Sequence, residues 1–151
     1  MFEKRIKLFI ELINETNVTW IKASELRYPE DEYDDEFYDD IKEMELYGIL
    51  KVRNFSSTYN SDISLTSKGA FLGKEYIKNY GKIFDDVVSL ITSENSSLRN
   101  DVEISKKLNV PRIFVDAVFA DLEDQNLIII KTAIGGMHIS KFTDRGKDYL
   151  F

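Results

Sequence analysis

Moved along itself by 78 residues, this 151-residue chain places apolar side chains on apolar side chains. Ile6, Phe9, Ile10 and Ile13 fall on Phe84, Val87, Val88 and Ile91. Leu26 falls on Ile104, and Phe37, Ile41 and Met44 fall on Val115, Phe119 and Leu122. Gly48-Ile49-Leu50 meets Asn126-Leu127-Ile128, and one residue out of step Leu65-Thr66-Ser67-Lys68-Gly69 meets Phe142-Thr143-Asp144-Arg145-Gly146. A near-constant offset over landmarks spread along the whole chain is the signature of a structural repeat. Two tandem copies of one small domain are expected, residues 1–80 and 81–151, joined near Tyr80-Gly81.

Each copy follows one plan. EKRIKLFIELINE and KIFDDVVSLITSE carry apolar residues three and four apart, the mark of a helix with one buried stripe. Polar turns follow, Asn14 to Thr19 and Ser93 to Asn100, then short helices over KASEL and DVEISKKL. The third helices are DDEFYDDIKEMELY and PRIFVDAVFADLEDQN; Pro111 suits a first turn, where its missing N–H is not needed. Gly48 and Asn126 stand where a helix must end in a left-handed residue. The period then changes from 3.6 to 2. Ile49 to Arg53, the polar FSSTYNSD and Ile63 to Leu65 predict one β-hairpin. Leu127 to Lys131, a turn with Gly135-Gly136, and Met137 to Phe142 predict another. A threonine then caps a closing helix, Ser67 to Asn79 in the first copy and Asp144 to Phe151 in the second.

Three helices and a two-stranded wing, closed by Leu-Thr-Ser-Lys-Gly or Phe-Thr-Asp-Arg-Gly, resemble a winged helix-turn-helix domain. The same elements, with EDQNLIIIK at the end of the third helix, are similar to those of small bacterial and phage regulators, the MarR-like ones among them. The resemblance implies an α+β, mainly helical chain of two tandem winged-helix domains. It also implies that the third helix of each is the element to inspect for DNA reading.

Charge separates the copies. The chain carries a net −7; residues 1–80 hold eleven Lys/Arg against sixteen Asp/Glu, residues 81–151 nine against eleven. In the first copy the stretch YPEDEYDDEFYDD leads into the third helix, where carboxylates would face phosphates and repel them. Two readings of that stretch stand side by side. It is a solvated helix start, favoured by the helix dipole, or it is a binding surface for a basic protein partner, made by Tyr33, Asp34, Asp35, Tyr38 and Asp39 with Tyr28 adding contact area. It lacks the glycine and the D-x-D-x-D spacing of a calcium loop. In the second copy, positive charge gathers at Lys106, Lys107 and Arg112 around the second and third helices, and at Lys131, His138 and Lys141 on the hairpin. These are the nucleic-acid-binding candidates, with Arg112 as the base reader and the lysines on phosphates. Against them stands the outward face expected for that third helix, Asp116, Ala117, Ala120 and Asp121, which is poor base-reading chemistry.

Other residues have plainer expectations. Trp20, aligned with Leu98, is expected in the core; Ile113 and Phe114 between the copies or on a dimer surface; Tyr149-Leu150-Phe151 against the first helix of its own domain. The absence of cysteine excludes disulfides, thiolate metal sites and a thiol nucleophile, and the single histidine removes most triads. GxGxxG and the P-loop spacing are missing. The charged amphipathic start MFEKRIKLFIELINE does not read as a signal peptide. The expectation is therefore a cytoplasmic, non-enzymatic binding module without cofactor, metal or membrane association. It would be a regulatory protein acting through protein contacts, with weak binding of double-stranded DNA by residues 81–151. The alternative is a winged-helix transcriptional regulator that binds DNA; a homodimer is compatible with both.

Overall fold

The structure, a computed structural model, describes residues 2–53, 61–94 and 98–151, with the side chain of Asp34 outside the described residues. The chain is α+β and mainly helical, and it separates into two compact units, Met1–Ile77 and Lys78–Phe151.

In the first unit, α1 (Glu3–Thr16) buries Ile6, Phe9, Ile10 and Ile13, and ends at Asn17 in the left-handed conformation. A two-residue strand β1 (Ile21–Lys22) leads into a single 3-10 turn, Ala23–Leu26. A short second helix was expected there. Pro29 stops it: proline lacks the N–H a continuing helix needs and pushes the residue before it out of helical conformation. Helix α2 (Asp34–Leu46) buries Phe37, Ile41 and Met44, and Gly48 reverses the chain at φ 76°. Strands β2 (Leu50–Arg53) and β3 (Asp62–Leu65) pair antiparallel, with Val52 opposite Ile63. Most of the polar stretch expected to turn this hairpin, residues 55–60, lies outside the described residues. Strand β1 adds to the far edge of β3, giving the order β1-β3-β2.

Helix α3 (Ser67–Leu72) is shorter than the expected closing helix. Gly73 ends it beside Ile6 and Ile10 of α1, where a Cβ would collide with both side chains, and glycine is itself a poor helix former. A 3-10 turn, Lys74–Tyr76, and buried Ile77 complete the unit. Trp20 is half-buried rather than a core residue; the Arg53 guanidinium covers its ring at 4.0 Å.

In the second unit, α4 (Tyr80–Thr92) buries Ile83, Val87 and Ile91. Tyr80-Gly81, expected as the joint, lies inside this helix, and the preceding Asn79 takes the left-handed conformation at φ 60°. Helix α5 (Asp101–Leu108) is capped by the Asn100 side chain, which accepts from Val102 N–H at 2.9 Å. Residues 95–97 of the preceding polar turn lie outside the described residues. Helix α6 runs from Arg112 to Asp124, and Asn126 turns the chain at φ 60° into β4 (Ile128–Ala133). Strand β5 (Gly136–Phe142) pairs back on β4, with a bulge where Ile129 meets Lys141 and Ile130 meets Ile139. The other edge of β5 meets the residues before α5: Ile139 N–H donates to Arg99 O at 2.9 Å, and Asn100 bridges His138. This repeats the β1–β3 pairing of the first unit.

Helix α6 corrects one expectation. Asp116, Ala117 and Asp121, expected to face outward, are buried with Phe114, Val115, Val118, Phe119 and Leu122. Unpaired carboxylates avoid the interior, but here partners are supplied. Asp121 accepts from Tyr80 O–H at 2.6 Å and from Gln125 Nε2 at 3.0 Å, while Asp116 has Arg112 Nε 3.9 Å away. Burial of Phe114 also removes it from any exposed dimer surface. The closing helix α7 (Asp144–Leu150) brings the C-terminal Phe151 to the hairpin. Phe151 meets Phe142 edge-on at 5.0 Å, and Tyr149 is exposed under the Arg145 guanidinium.

Candidate functional site

The acidic stretch of the first unit does two different things. Arg5, on α1, is only 7% exposed. Its Nη2 donates to Asp31 Oδ1 at 2.7 Å and to Asp40 Oδ2 at 2.9 Å, and its Nη1 to Asp31 Oδ2 at 2.9 Å. The same Nη1 donates to Leu26 O at 2.8 Å, so arginine closes the carbonyl end of the 3-10 turn that Pro29 cut short. The guanidinium lies 5.2 Å from the Phe37 ring and 5.7 Å from that of Tyr28. Hydrogen bonds from Arg5 hold Asp31 down at a pKa of about 2 against the opposing effect of burial, with help from the Tyr28 N–H. Burial works against the charge on Arg5, but Asp31 and Asp40 outweigh it and raise its pKa. Asp31 and Asp40 are therefore structural groups.

The remaining acids face water. Asp35 and Asp39 are exposed one turn apart on α2 beside exposed Glu36, and Tyr33 protrudes just ahead of the helix. Tyr38 is half-buried, its ring 5.9 Å from that of Phe37. Asp34 opens the helix, and the position of its side chain lies outside the described residues. The structure thus places Tyr33, Asp35 and Asp39 on solvent at the beginning of α2.

Arg5 was missed in the sequence, although the repeat marks it. At the 78-residue offset Arg5 stands where Ile83 is buried, and Asp40 stands where Val118 is buried. Opposite charges at two apolar positions of a repeat mark an ion pair, here half-buried on the Asp40 side.

In the second unit the six candidate groups divide into three sets. Arg112 is drawn to buried carboxylates: its Nε lies 3.8 Å from Asp101 Oδ2 and 3.9 Å from Asp116 Oδ2. Asp101 in turn holds the hairpin, accepting from Met137 N–H at 3.1 Å through Oδ1, and Gly136 (φ 120°) leaves no room there for a Cβ. Arg112 therefore lies within ion-pair range of interior charge, with its side chain still 52% exposed. Lys106 and Lys107 are exposed in the last turn of α5, where the helix dipole favours cations. They lie roughly 8 Å along the helix from Asp101, at 1.5 Å per residue.

The hairpin does gather its candidates. Lys131 pairs directly with His138 across the strands, and Lys141 pairs with Ile129. Residues two apart on β4 share a face, so Ile129, Lys131, His138 and Lys141 lie on one side. On β5 alone, His138 and Lys141 are three apart and would alternate; the extra residue of the bulge restores them to the same side. Lys131 and Lys141 are exposed, His138 is half-buried, and Ile134 at the tip is fully exposed.

Among the described residues, no three His, Asp or Glu groups converge as a metal site requires, and no helix is long and apolar enough to cross a membrane. No protein-family model, curated protein or solved structure matches the chain.

Proposed function

We propose that this chain is a tandem winged-helix protein that works as a binding module through protein contacts, in the manner of a regulatory adaptor. The repeated order within each unit supports the winged-helix reading: helix, edge strand, turn or short helix, long helix, hairpin and closing helix. What carries the functional reading is the state of the two third helices. On α2 the solvent side bears Asp35, Glu36, Asp39 and Glu43, with Lys42 among them, which a phosphate backbone would repel. On α6 most of the helix is buried, and Arg112 at its start is held by Asp101 and Asp116. Apart from Arg112, neither helix presents on its solvent side the Arg, Asn or Gln side chains that read base edges in the major groove. The acidic, tyrosine-bearing start of α2 suits a basic protein partner, with tyrosine and charge complementarity supplying contact area and orientation.

A second reading has one observation in its favour, the basic hairpin face of Lys131, His138 and Lys141. Phosphate contacts from such a face would give weak, sequence-independent binding of double-stranded DNA. A gel-shift series at about 50 and about 200 mM salt separates the two, because counterion release makes phosphate-driven binding fall steeply across that range. The expected result is no retardation of duplex DNA up to tens of micromolar protein, roughly the range of nonspecific binding. Retardation that weakens with salt and disappears in Lys131→Glu/Lys141→Glu would establish the DNA reading instead.

A further inference from the structure

Among the described residues, the first unit carries an apolar groove at the foot of α1. Phe2, Ile6 and Ile49 form its floor, Leu72 and Gly73 one wall, and Glu3, Glu75 and Tyr76 its rim, around a volume of about 400 Å³. Leu72 is 51% exposed, and Tyr47, whose ring lies 5.9 Å from that of Phe2, is 55% exposed. Apolar side chains scattered singly on a surface mean little, but several gathered around a concavity mark an interaction site.

The rim identifies the occupant. Glu3 also borders a second depression of about 360 Å³ lined by Lys4, Arg5, Tyr28, Glu30, Asp31 and Asp40. Groove and depression therefore adjoin at Glu3, the groove mainly apolar and the depression mainly anionic, with exposed Lys4 among its acids. Arg5 is held by Asp31 and Asp40, and Lys7 lies over the Tyr76 ring; Glu30 and Glu75 are exposed. Tyr76 donates its hydroxyl to Glu3, and that bond, with burial and the charge of Glu75, pushes its pKa up to about 12, as a negative local field should. A second copy of this chain suits the surface poorly, since a symmetric contact would bring two sets of these carboxylates together.

We propose that this surface docks a basic amphipathic segment of a partner protein, with apolar side chains in the groove of Phe2, Ile6, Ile49 and Leu72 and a lysine or arginine toward Glu3, Glu30 and Glu75. The proposal rests on the reading that the protein works through protein contacts, and it moves the main contact from the start of α2 to the foot of α1. In a helical ligand, anchors at i, i+3 or i+4 and i+7 would line the groove, and the basic face between them would meet the acids.

The test is an NMR titration of the isotope-labelled protein with a synthetic helical peptide of leucine and lysine, beside the same peptide with glutamate in place of lysine. Shifts are expected at Phe2, Ile6, Ile49, Leu72 and Tyr76 with the lysine peptide, and none with the glutamate peptide. Leu72→Glu and Glu30→Lys/Glu75→Lys, all at exposed positions, should each weaken binding by about tenfold or more, the scale of an anchor residue. Asp35→Lys/Asp39→Lys should leave it within about threefold, a surface charge change outside the contact. Equal binding of both peptides, no shifts at about 1 mM peptide (roughly the weakest affinity worth the name), or shifts confined to Tyr33, Asp35 and Asp39 would overturn the groove. The last outcome would leave the protein-binding reading standing; that reading falls to the gel shift.

Discussion

Arg5→Ala will lower the stability of the first unit by about 3 kcal/mol, the scale for breaking a buried ion pair by removing one partner. The loss has three parts. Asp31 and Asp40 keep their charge without the guanidinium that offsets it. Leu26 O loses the 2.8 Å bond that closes its turn, a cost of about 1 kcal/mol for a carbonyl left without a partner. The Phe37 and Tyr28 rings lose the flat cation packed beside them. The measurement is convenient, because Trp20 is the single tryptophan of the chain and lies in this unit. Denaturant unfolding followed by its fluorescence reports the first unit directly.

The repeat supplies the control. The triple change Arg5→Ile/Asp31→Asn/Asp40→Val installs the residues that the second unit has at the same offset, Ile83, Asn109 and Val118. Removing a buried ion network whole, so that no charge is left without its partner, is far milder than breaking it, so the triple variant should recover to within about 1–2 kcal/mol of the native protein, the unbonded Leu26 carbonyl accounting for the remainder. A triple variant as unstable as Arg5→Ala would mean that the arginine acts through its shape and not through charge. Acid adds an independent check. Asp31 titrates at about 2 in the folded unit against an ordinary value of 3.8. A depressed carboxylate contributes stability that is complete above the ordinary value and is lost as pH falls toward the folded value. The native unit should therefore weaken between about pH 4 and pH 2, and Asp31→Asn should flatten that slope.

Arg5 also shows where reading a sequence stops. Gly48, Asn126, Thr66 and Thr143 were legible because each acts on its own neighbourhood: a left-handed turn or a cap follows from the residue and its next three. The apolar stripes of α1 and α2 were legible for the same reason, since a helical period needs no distant partner; on α4 Val87 and Ile91 are buried as expected, while Phe84 and Val88 are half-buried and Ile83 is buried beside them. Arg5 needs Asp31 and Asp40, and Asp101 needs Met137 and Arg112, groups 26 or more and 11 or more residues away along the chain. Without those partners in view a charged residue defaults to the surface, which is why Asp116 and Asp121 were placed outside. Strand β1 is invisible for a related reason: two residues have no period, and only pairing with Ile63 and Asp62 makes them a strand. The hairpin face of Lys131, His138 and Lys141 depends on a bulge, and one inserted residue leaves no mark in an alternating pattern.

Gly146→Ala should produce the second large loss, about 3 kcal/mol, confined to the second unit. Gly146 sits in the first turn of α7, and its N–H donates to the Thr143 cap at 2.9 Å. A Cβ built there collides with the carbonyl oxygen of Leu127 and comes within 2.9 Å of its carbon. That carbonyl already accepts Thr143 N–H at 3.1 Å, and Thr143 Oγ1 donates to Asn126 O at 2.6 Å. The threonine and the glycine thus clamp the closing helix onto the backbone between α6 and β4. A side-chain neighbour can rotate away, but a backbone carbonyl in the middle of the clamp has nowhere to go. The helix must lift, giving up a cap worth about 1 kcal/mol and adding overpacking strain of about 1–3 kcal/mol. The first unit repeats the device at Gly69, whose Cβ would lie 2.5 Å from Ile49 O and 2.7 Å from the movable end of Leu65, with Thr66 N–H on the same Ile49 carbonyl at 3.0 Å. Gly69→Ala should therefore cost less than Gly146→Ala. Gly135→Ala, with open space around its Cβ, should stay within about 0.5 kcal/mol of the native protein, as surface changes do. Amide hydrogen exchange of residues 115–122 reads the second unit, and Trp20 fluorescence reads the first. Native-like protection in Gly146→Ala would mean that the helix accommodates the methyl group, and that the shared Thr-x-x-Gly spacing serves some purpose other than this close approach.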